Sequence, residues 1–123
     1  AGSTPTILPL PRLTDAQMPA LYSAAAVLVH PAFHEGYGYA PIEAMACGTP
    51  VLFTRSGMGE EIEKDLPELI LANPSDESEA QVKLAHIFKN RDKLGKKSRA
   101  WVEKHCAWKP WAKTWNTLLE ESR

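Results

Sequence analysis

Cysteine is scarce: Cys47 and Cys106 are the two in 123 residues, too few and too far apart for a disulfide framework or a four-ligand zinc site. Such usage fits a reducing compartment, and the expected location is cytoplasmic. No apolar run approaches the roughly 18 residues that span a bilayer. The amino terminus also lacks the basic and apolar stretches of a secretory signal. No aspartate pair or His/Cys cluster has metal-ligand spacing. A Gly-x-Gly-x-x-Gly fingerprint after a strand is missing, which argues against an ordinary dinucleotide-binding domain such as an epimerase's. Charge of one sign is missing too: a formal net charge of −1 supplies no broad positive field, so nucleic acid is not an expected partner.

What is present suffices for a core. Apolar residues make up 44% of the chain, and its length falls in the single-domain range. Residues 4–123 are expected to form one unit, with Ala1-Gly2-Ser3 a remnant of cloning. The near-zero charge hides an asymmetry. Through Val82 three basic residues stand against eleven acidic ones, a net of −8; from Lys83 eleven basic stand against four acidic, a net of +7. Lysines spread along an amphipathic helix are usually its solvated side, and that reading is preferred here.

Ile7-Leu8, between prolines, suggests a short edge strand. Thr14-Asp15-Ala16-Gln17 reads as a capping box, with Leu13 and Met18 spaced for a hydrophobic staple and a helix running on to Ala25. Pro19 either sits in the first turn or resets the start. Ala26 to His30, Pro50 to Thr54 and Leu69 to Leu71 are short apolar runs that suit parallel strands, the first expected to be buried on both faces. Pro41 to Cys47 is a helix that Gly48 ends as a C′ glycine. After the Asn73-Pro74-Ser75-Asp76 loop the pattern turns helical. Val82, Ala85 and Phe88 mark one apolar face, with Leu84 and Ile87 beside it. Asn90-Arg91-Asp92 breaks the run, and Leu94, Trp101 and Val102 belong to the next helix. Trp108, Trp111, Trp115, Leu118 and Leu119 form a third stripe. Strand, helix, strand in sequence predicts a Rossmann-like α/β/α architecture around a short parallel sheet of three or four strands.

The segment from His34 to Gly48 follows a strand and leads into a helix, which is the carboxyl edge of a parallel sheet, where α/β proteins bind ligands. Gly36 and Gly38 let backbone approach a ligand closely. The unpaired N–H groups of a helix's first turn, with the helix dipole, favour a phosphate or diphosphate. Glu43 follows within a turn or two, and its carboxylate accepts hydrogen bonds from paired hydroxyls of a ribose or sugar. Glu35 enters the loop from the other end.

Leu21-Tyr22, Ala25, His30-Pro31, Glu35-Gly36-Tyr37-Gly38 and the run Glu43 to Val51 together resemble the donor-site block of family 4 retaining glycosyltransferases, enzymes of the two-domain GT-B fold. Glu35 and Glu43, with seven residues between them, match that family's E-x7-E motif. Gly57-Met58-Gly59-Glu60-Glu61 is similar to its Gly-Gly-x-x-Glu turn, and Ala107-Trp108 to its late Ser-Trp. The resemblance implies the carboxyl-terminal domain of a nucleotide-sugar-dependent hexosyltransferase that uses no metal or other cofactor, which fits the lack of metal-ligand spacing. It implies Glu35 on the transferred sugar as the catalytic carboxylate, Glu43 on the donor's ribose, and Gly36, Tyr37, Gly38, Tyr39 and Ala40 around the sugar and diphosphate.

The chain departs from the family in two respects. The Gly-x-x-x-Lys-Gly stretch and the Arg and Lys that neutralise the diphosphate have no counterpart here, and the amino-terminal acceptor domain is the expected missing partner. Electrostatic stabilisation is often the largest catalytic contribution, so the chain alone is expected to be inactive. Asp65-Leu66-Pro67-Glu68 also replaces a glycine-rich turn. The alternative is a non-catalytic binding or interaction module derived from such a domain. A membrane or lipid-linked acceptor finds no support in the sequence. His30 and His34 are read as structural, Cys47 as packing at a helix end, and the tryptophan stripe as core or as a face left by the absent domain.

Overall fold

The computed structural model describes residues 6–34, 36 and 38–122. Helix α1 (Met18–Ala24) leads to strand β1 (Leu28–His30), then α2 (Tyr39–Ala46), β2 (Val51–Thr54), α3 (Met58–Ile62) and, after a 3-10 turn at Pro67–Leu69, β3 (Ile70–Leu71). Three helices follow: α4 (Glu77–Lys89), α5 (Arg91–His105) and α6 (Trp108–Glu121). The strands form one parallel sheet in the order β1-β2-β3, with Leu28 opposite Val51 and Phe53 opposite Ile70. Neighbouring side chains of a strand point to opposite faces, and all four residues of β2 are buried. Both faces of the sheet's centre are therefore covered, and the expected α/β class holds.

The centre of the core is Met45, Leu52, Met58, Ile62, Leu69, Ile87 and Leu94, side chains with almost no exposed surface. Truncating any one of the leucines to alanine costs about 2–5 kcal/mol. Helix α5 closes this core through Leu94, Gly95, Ser98, Trp101 and Val102, the face expected of it. Gly95 lies mid-helix because a Cβ there would collide with the carbonyl oxygen of Gly48, the residue that ends α2. That ending is the expected one. Gly48 has φ +81°, its N–H bonds the Met45 carbonyl, and the Thr49 N–H bonds Ala44, the two bonds of a Schellman motif. The Trp101 indole N–H donates to Asp65 Oδ2 at 2.9 Å, so the segment that departs from a glycine turn anchors α3 to α5.

Several expectations are corrected. Ile7 and Leu8 form no strand and are largely exposed. β1 starts at Leu28 rather than Ala26, and Val29 is 45% exposed, so the strand is not buried on both faces. Helix α1 starts at Met18, with Pro19 in its first turn. Only half of the capping box forms: Gln17 Oε1 accepts the Thr14 N–H, while Gln17 N–H bonds the Thr14 carbonyl rather than its hydroxyl. On α4 the buried residue is Ile87, with Ala80 and Leu84 against the core. Val82 and Phe88, expected on the inner face, are exposed, and Phe88 lies under the Arg91 guanidinium. The third stripe is helical, yet no residue of α6 is buried. The lysines and arginines of α5 are exposed. Among the described residues no helix is long and apolar enough to cross a membrane.

Candidate functional site

Because the strands are parallel, the carboxyl ends of β1 and β2 open at one edge of the sheet. The Thr54 hydroxyl donates to the Ala32 carbonyl and ties these two ends together. The connection from β1 to α2 crosses this edge and ends at Gly38, whose φ of +97° no L side chain adopts comfortably. Gly38 is the N-cap of α2. No side-chain hydrogen bond caps it, and no acidic residue stands in the helix's first turn. Among the described residues nothing neutralises the helix head. Gly36 is exposed, and a Cβ there would meet no atom within 4 Å. Tyr39 and Ala40 begin the helix and are exposed, Tyr39 at 75%. Glu35 and Tyr37 lie outside the described residues, as does the Ala1-Gly2-Ser3 remnant.

Glu43 stands one turn into α2, its carboxylate exposed. Tyr22 of α1 donates its phenol O–H to Glu43 Oε2 at 3.0 Å. Tyr22 is itself fixed: it is only 7% exposed, and its carbonyl accepts the hydroxyl of buried Thr49, just before β2. Burial pushes the Tyr22 phenol above its ordinary pKa, and the hydrogen bond to Glu43 and the nearby Glu43 charge push it further. It therefore stays a donor. Motif reading singles out the tyrosine only as part of a resemblance, because a contact across 21 positions leaves no periodic trace. The Tyr22–Glu43 pair lines a cavity of about 280 Å³ with Asp15, Met18, Pro19, Ala46 and Cys47. Two carboxylates thus stand in a largely apolar hollow. Cys47 packs partly against the core, as expected of a structural thiol.

Other polar groups serve the frame. Arg55 holds Glu63 through Nε at 2.8 Å and a terminal nitrogen at 2.6 Å, which lowers the Glu63 pKa and raises that of Arg55. Asp76 caps α4 by accepting the Glu79 N–H at 3.0 Å. Glu79 in turn accepts the N–H groups of Ala72 and Asn73, at 2.6 and 3.0 Å, where the chain leaves β3. Among the described residues no group of three His, Cys, Asp or Glu side chains is arranged to hold a metal ion.

A parallel α/β sheet, a glycine-capped helix at its carboxyl edge and an oriented carboxylate one turn in define an α/β domain with a candidate ligand site at that edge. Comparison with known proteins narrows the class. Residues 6–106 match the family described as glycosyl transferases group 1, and the chain belongs to that family. It is 48% identical over 48 residues to a D-inositol 3-phosphate glycosyltransferase of Pseudarthrobacter chlorophenolicus, a match covering 39% of this chain and 11% of that protein. It is 39% identical over 62 residues to O-antigen chain mannosyltransferase B of Escherichia coli, covering 50% of this chain and 16% of the relative. It is 36% identical over 76 residues to the Salmonella typhimurium O-antigen chain mannosyltransferase RfbU, covering 62% and 21%. The matched region thus spans about a tenth to a fifth of these relatives' length. No solved structure matches the chain significantly.

Proposed function

We propose that this chain is the donor-binding part of a retaining glycosyltransferase, which moves a hexosyl group from a nucleotide-diphosphate sugar to an acceptor. The observation that carries the reading is the Glu43 carboxylate, oriented by Tyr22 within the segment that matches the family. A carboxylate so held accepts the two hydroxyls of a ribose without first losing its own freedom. The head of α2 favours the diphosphate, with no capping side chain or first-turn acid among the described residues. Glu35, seven residues before Glu43 in the E-x7-E pattern, takes a hydroxyl of the transferred sugar and serves as the catalytic carboxylate. Gly36, Tyr37, Gly38, Tyr39 and Ala40 surround the sugar and diphosphate. The mannosyltransferase names of two relatives support transfer of a hexose.

In this reading the chain alone is inactive. No lysine or arginine lines the cavity at Glu43, and the developing charge on a leaving diphosphate needs cations. Those cations and the acceptor domain belong to a longer protein. The test is titration calorimetry of that longer protein with UDP- and GDP-hexoses. Glu43→Ala is expected to weaken binding at least tenfold, whereas Glu35→Ala mainly lowers kcat. Unchanged affinity in Glu43→Ala rules out the assignment.

A further inference from the structure

The cavity at Glu43 carries a second carboxylate, Asp15, for which ribose binding by Glu43 has no use. A turn holds Asp15 in place. The Gln17 and Met18 N–H groups bond the Thr14 carbonyl at 3.0 and 3.2 Å, and the Thr14 N–H donates to Gln17 Oε1 at 2.9 Å, so the segment bearing Asp15 is clamped on both sides. Neither the Asp15 side chain nor that of Arg12, just before the turn, bonds or pairs with another described residue. A second hollow, of about 330 Å³, is lined by Arg12, Leu13, Thr14 and Asp15. Asp15 is common to both hollows, so the charged groups follow one another in the order Glu43, Asp15, Arg12.

The other walls of the Glu43 cavity are Met18, Pro19, Ala46 and Cys47, and the Tyr22 phenol O–H is already given to Glu43. Such walls suit the apolar face of a flat ring, and Met18 adds a thioether that favours aromatic contact. At about 280 Å³ the cavity stands just below the roughly 300–1,000 Å³ of small-molecule sites, which fits a nucleoside better than a whole nucleotide sugar. A ribose whose hydroxyls rest on Glu43 therefore leaves its base to fill the remainder.

Bases differ in the row of donors and acceptors along their edge. A carboxylate accepts hydrogen bonds and offers none, so two adjacent donors satisfy it best. Guanine presents N1–H beside its N2 amino group, and next to them the acceptors O6 and N7, which an arginine takes bidentately. Uracil has one N–H between two carbonyl oxygens, and adenine an amino group beside a bare ring nitrogen, so either sets a lone pair against Asp15. Read outward from the ribose, the edge of guanine runs donor, donor, acceptor, acceptor. The order Asp15, then Arg12, is its complement.

We propose that Asp15 makes this site selective for guanine, so that the donor is a GDP-sugar: Glu43 takes the ribose hydroxyls, Asp15 the N1–H and N2 amino group, and Arg12 the O6 and N7 acceptors. The proposal rests on the donor-binding reading above.

Nucleosides are the probes, because without phosphate they need no cations from outside the chain. Guanosine, inosine, adenosine and uridine are titrated against the chain and followed by amide chemical shifts. Guanosine is expected to bind about tenfold or more tighter than each of the others. Inosine is the sharpest control, since it differs from guanosine by the N2 amino group alone. Asp15→Asn exchanges one acceptor for a donor and so matches the N3–H and O4 of uracil; it should erase the advantage of guanosine and raise the affinity for uridine. Arg12→Ala should weaken guanosine and inosine alike and leave their ratio unchanged. Asp15 is exposed and asparagine has its shape, so circular dichroism of the variant should match the parent, and the guanosine–inosine comparison needs no variant at all. Equal binding of guanosine and inosine, tighter binding of uridine or adenosine, or a guanosine preference that survives Asp15→Asn overturns the proposal, as does failure of every nucleoside to bind. The donor-binding reading fails separately: Glu43→Ala then leaves guanosine affinity unchanged while the Asp15-dependent preference for guanine persists.

Discussion

Tyr22→Phe removes one oxygen and leaves the ring, so it isolates the bond that orients Glu43. The phenol O–H and Glu43 Oε2 are 3.0 Å apart, and the acceptor carries a charge. Hydrogen bonds to charged groups contribute about 1.5–3 kcal/mol, neutral ones about 0.5–1.5 kcal/mol. Glu43 is exposed, and water replaces the phenol on its carboxylate, so the lower range applies. A loss of about 1 kcal/mol lowers the melting temperature by roughly 3–6 °C in a chain of this size. The second consequence concerns ligand affinity. In the variant the ligand must order the Glu43 side chain itself, at about 0.5–1.5 kcal/mol per immobilised side chain, so a nucleotide-sugar Kd rises roughly two- to twelvefold.

Alkaline pH gives a further signature. The phenol pKa is raised above about 10 in the folded chain, so the stability it supplies is complete below the unfolded pKa and is lost as pH rises through the folded one. The parent should therefore lose stability above pH ~10 more steeply than Tyr22→Phe, which has no phenol at this position. Thermal melts from pH 7 to 11 and calorimetric titrations with UDP- and GDP-hexoses read both effects. Coincident melts at neutral pH with parallel alkaline limbs would refute the reasoning. A stability loss above about 3 kcal/mol would point instead to disturbed packing around Tyr22.

Two further substitutions probe the frame that holds the site. Gly95→Ala gains about 1 kcal/mol of helix propensity but drives a Cβ into the Gly48 carbonyl, so a net loss of about 1–3 kcal/mol is expected. A urea midpoint that rises instead of falling contradicts the close approach of α5 to the end of α2. Asp76→Ala deletes the cap on the Glu79 N–H and should cost about 1 kcal/mol, with Asp76→Asn losing less because its oxygen remains; equal midpoints for all three chains would remove the cap from the account.

The parts of this fold that sequence disclosed are those whose determinants are local. Val51 to Phe53 is an unbroken apolar run, and it lies in the central strand. Gly48 stands where a left-handed residue is needed, and it has that conformation. Leu94, Trp101 and Val102 repeat at helical spacing, and they are buried. The misreadings share another cause: burial depends on what lies opposite, and periodicity reports only that a face is apolar. Val29 reads as interior because its strand is hydrophobic, yet on its face of β1 it is left 45% exposed. Val82 and Phe88 lose to Ala80, Leu84 and Ile87 because α4 offers two apolar sides and the sheet covers one. Trp108, Trp111 and Trp115 predict a helix correctly and a core incorrectly. At the candidate site, the motif draws attention to Glu43, but the tyrosine bonded to it is 21 positions away and brought there by packing.

On the proposed reading, the chain's charge also sets how its function must be divided. The first 82 residues carry a net of −8, and the cavity at Glu43 holds Asp15 as well. A nucleoside diphosphate approaching that region meets carboxylates that suit its hydroxyls and repel its phosphates. The head of α2 offsets part of this repulsion, since a helix terminus contributes about 0.3–1 kcal/mol to a nearby anion. Two phosphate charges beside uncompensated carboxylates need more than that. The excess of lysine and arginine lies in the second part of the chain, and none of those residues lines the Glu43 cavity. Hydroxyl recognition and charge neutralisation therefore fall to different segments. A lysine or arginine supplied from outside this chain would raise diphosphate affinity while leaving affinity for the free nucleoside nearly unchanged, so the ratio of the two in the chain and in a longer protein measures that division directly.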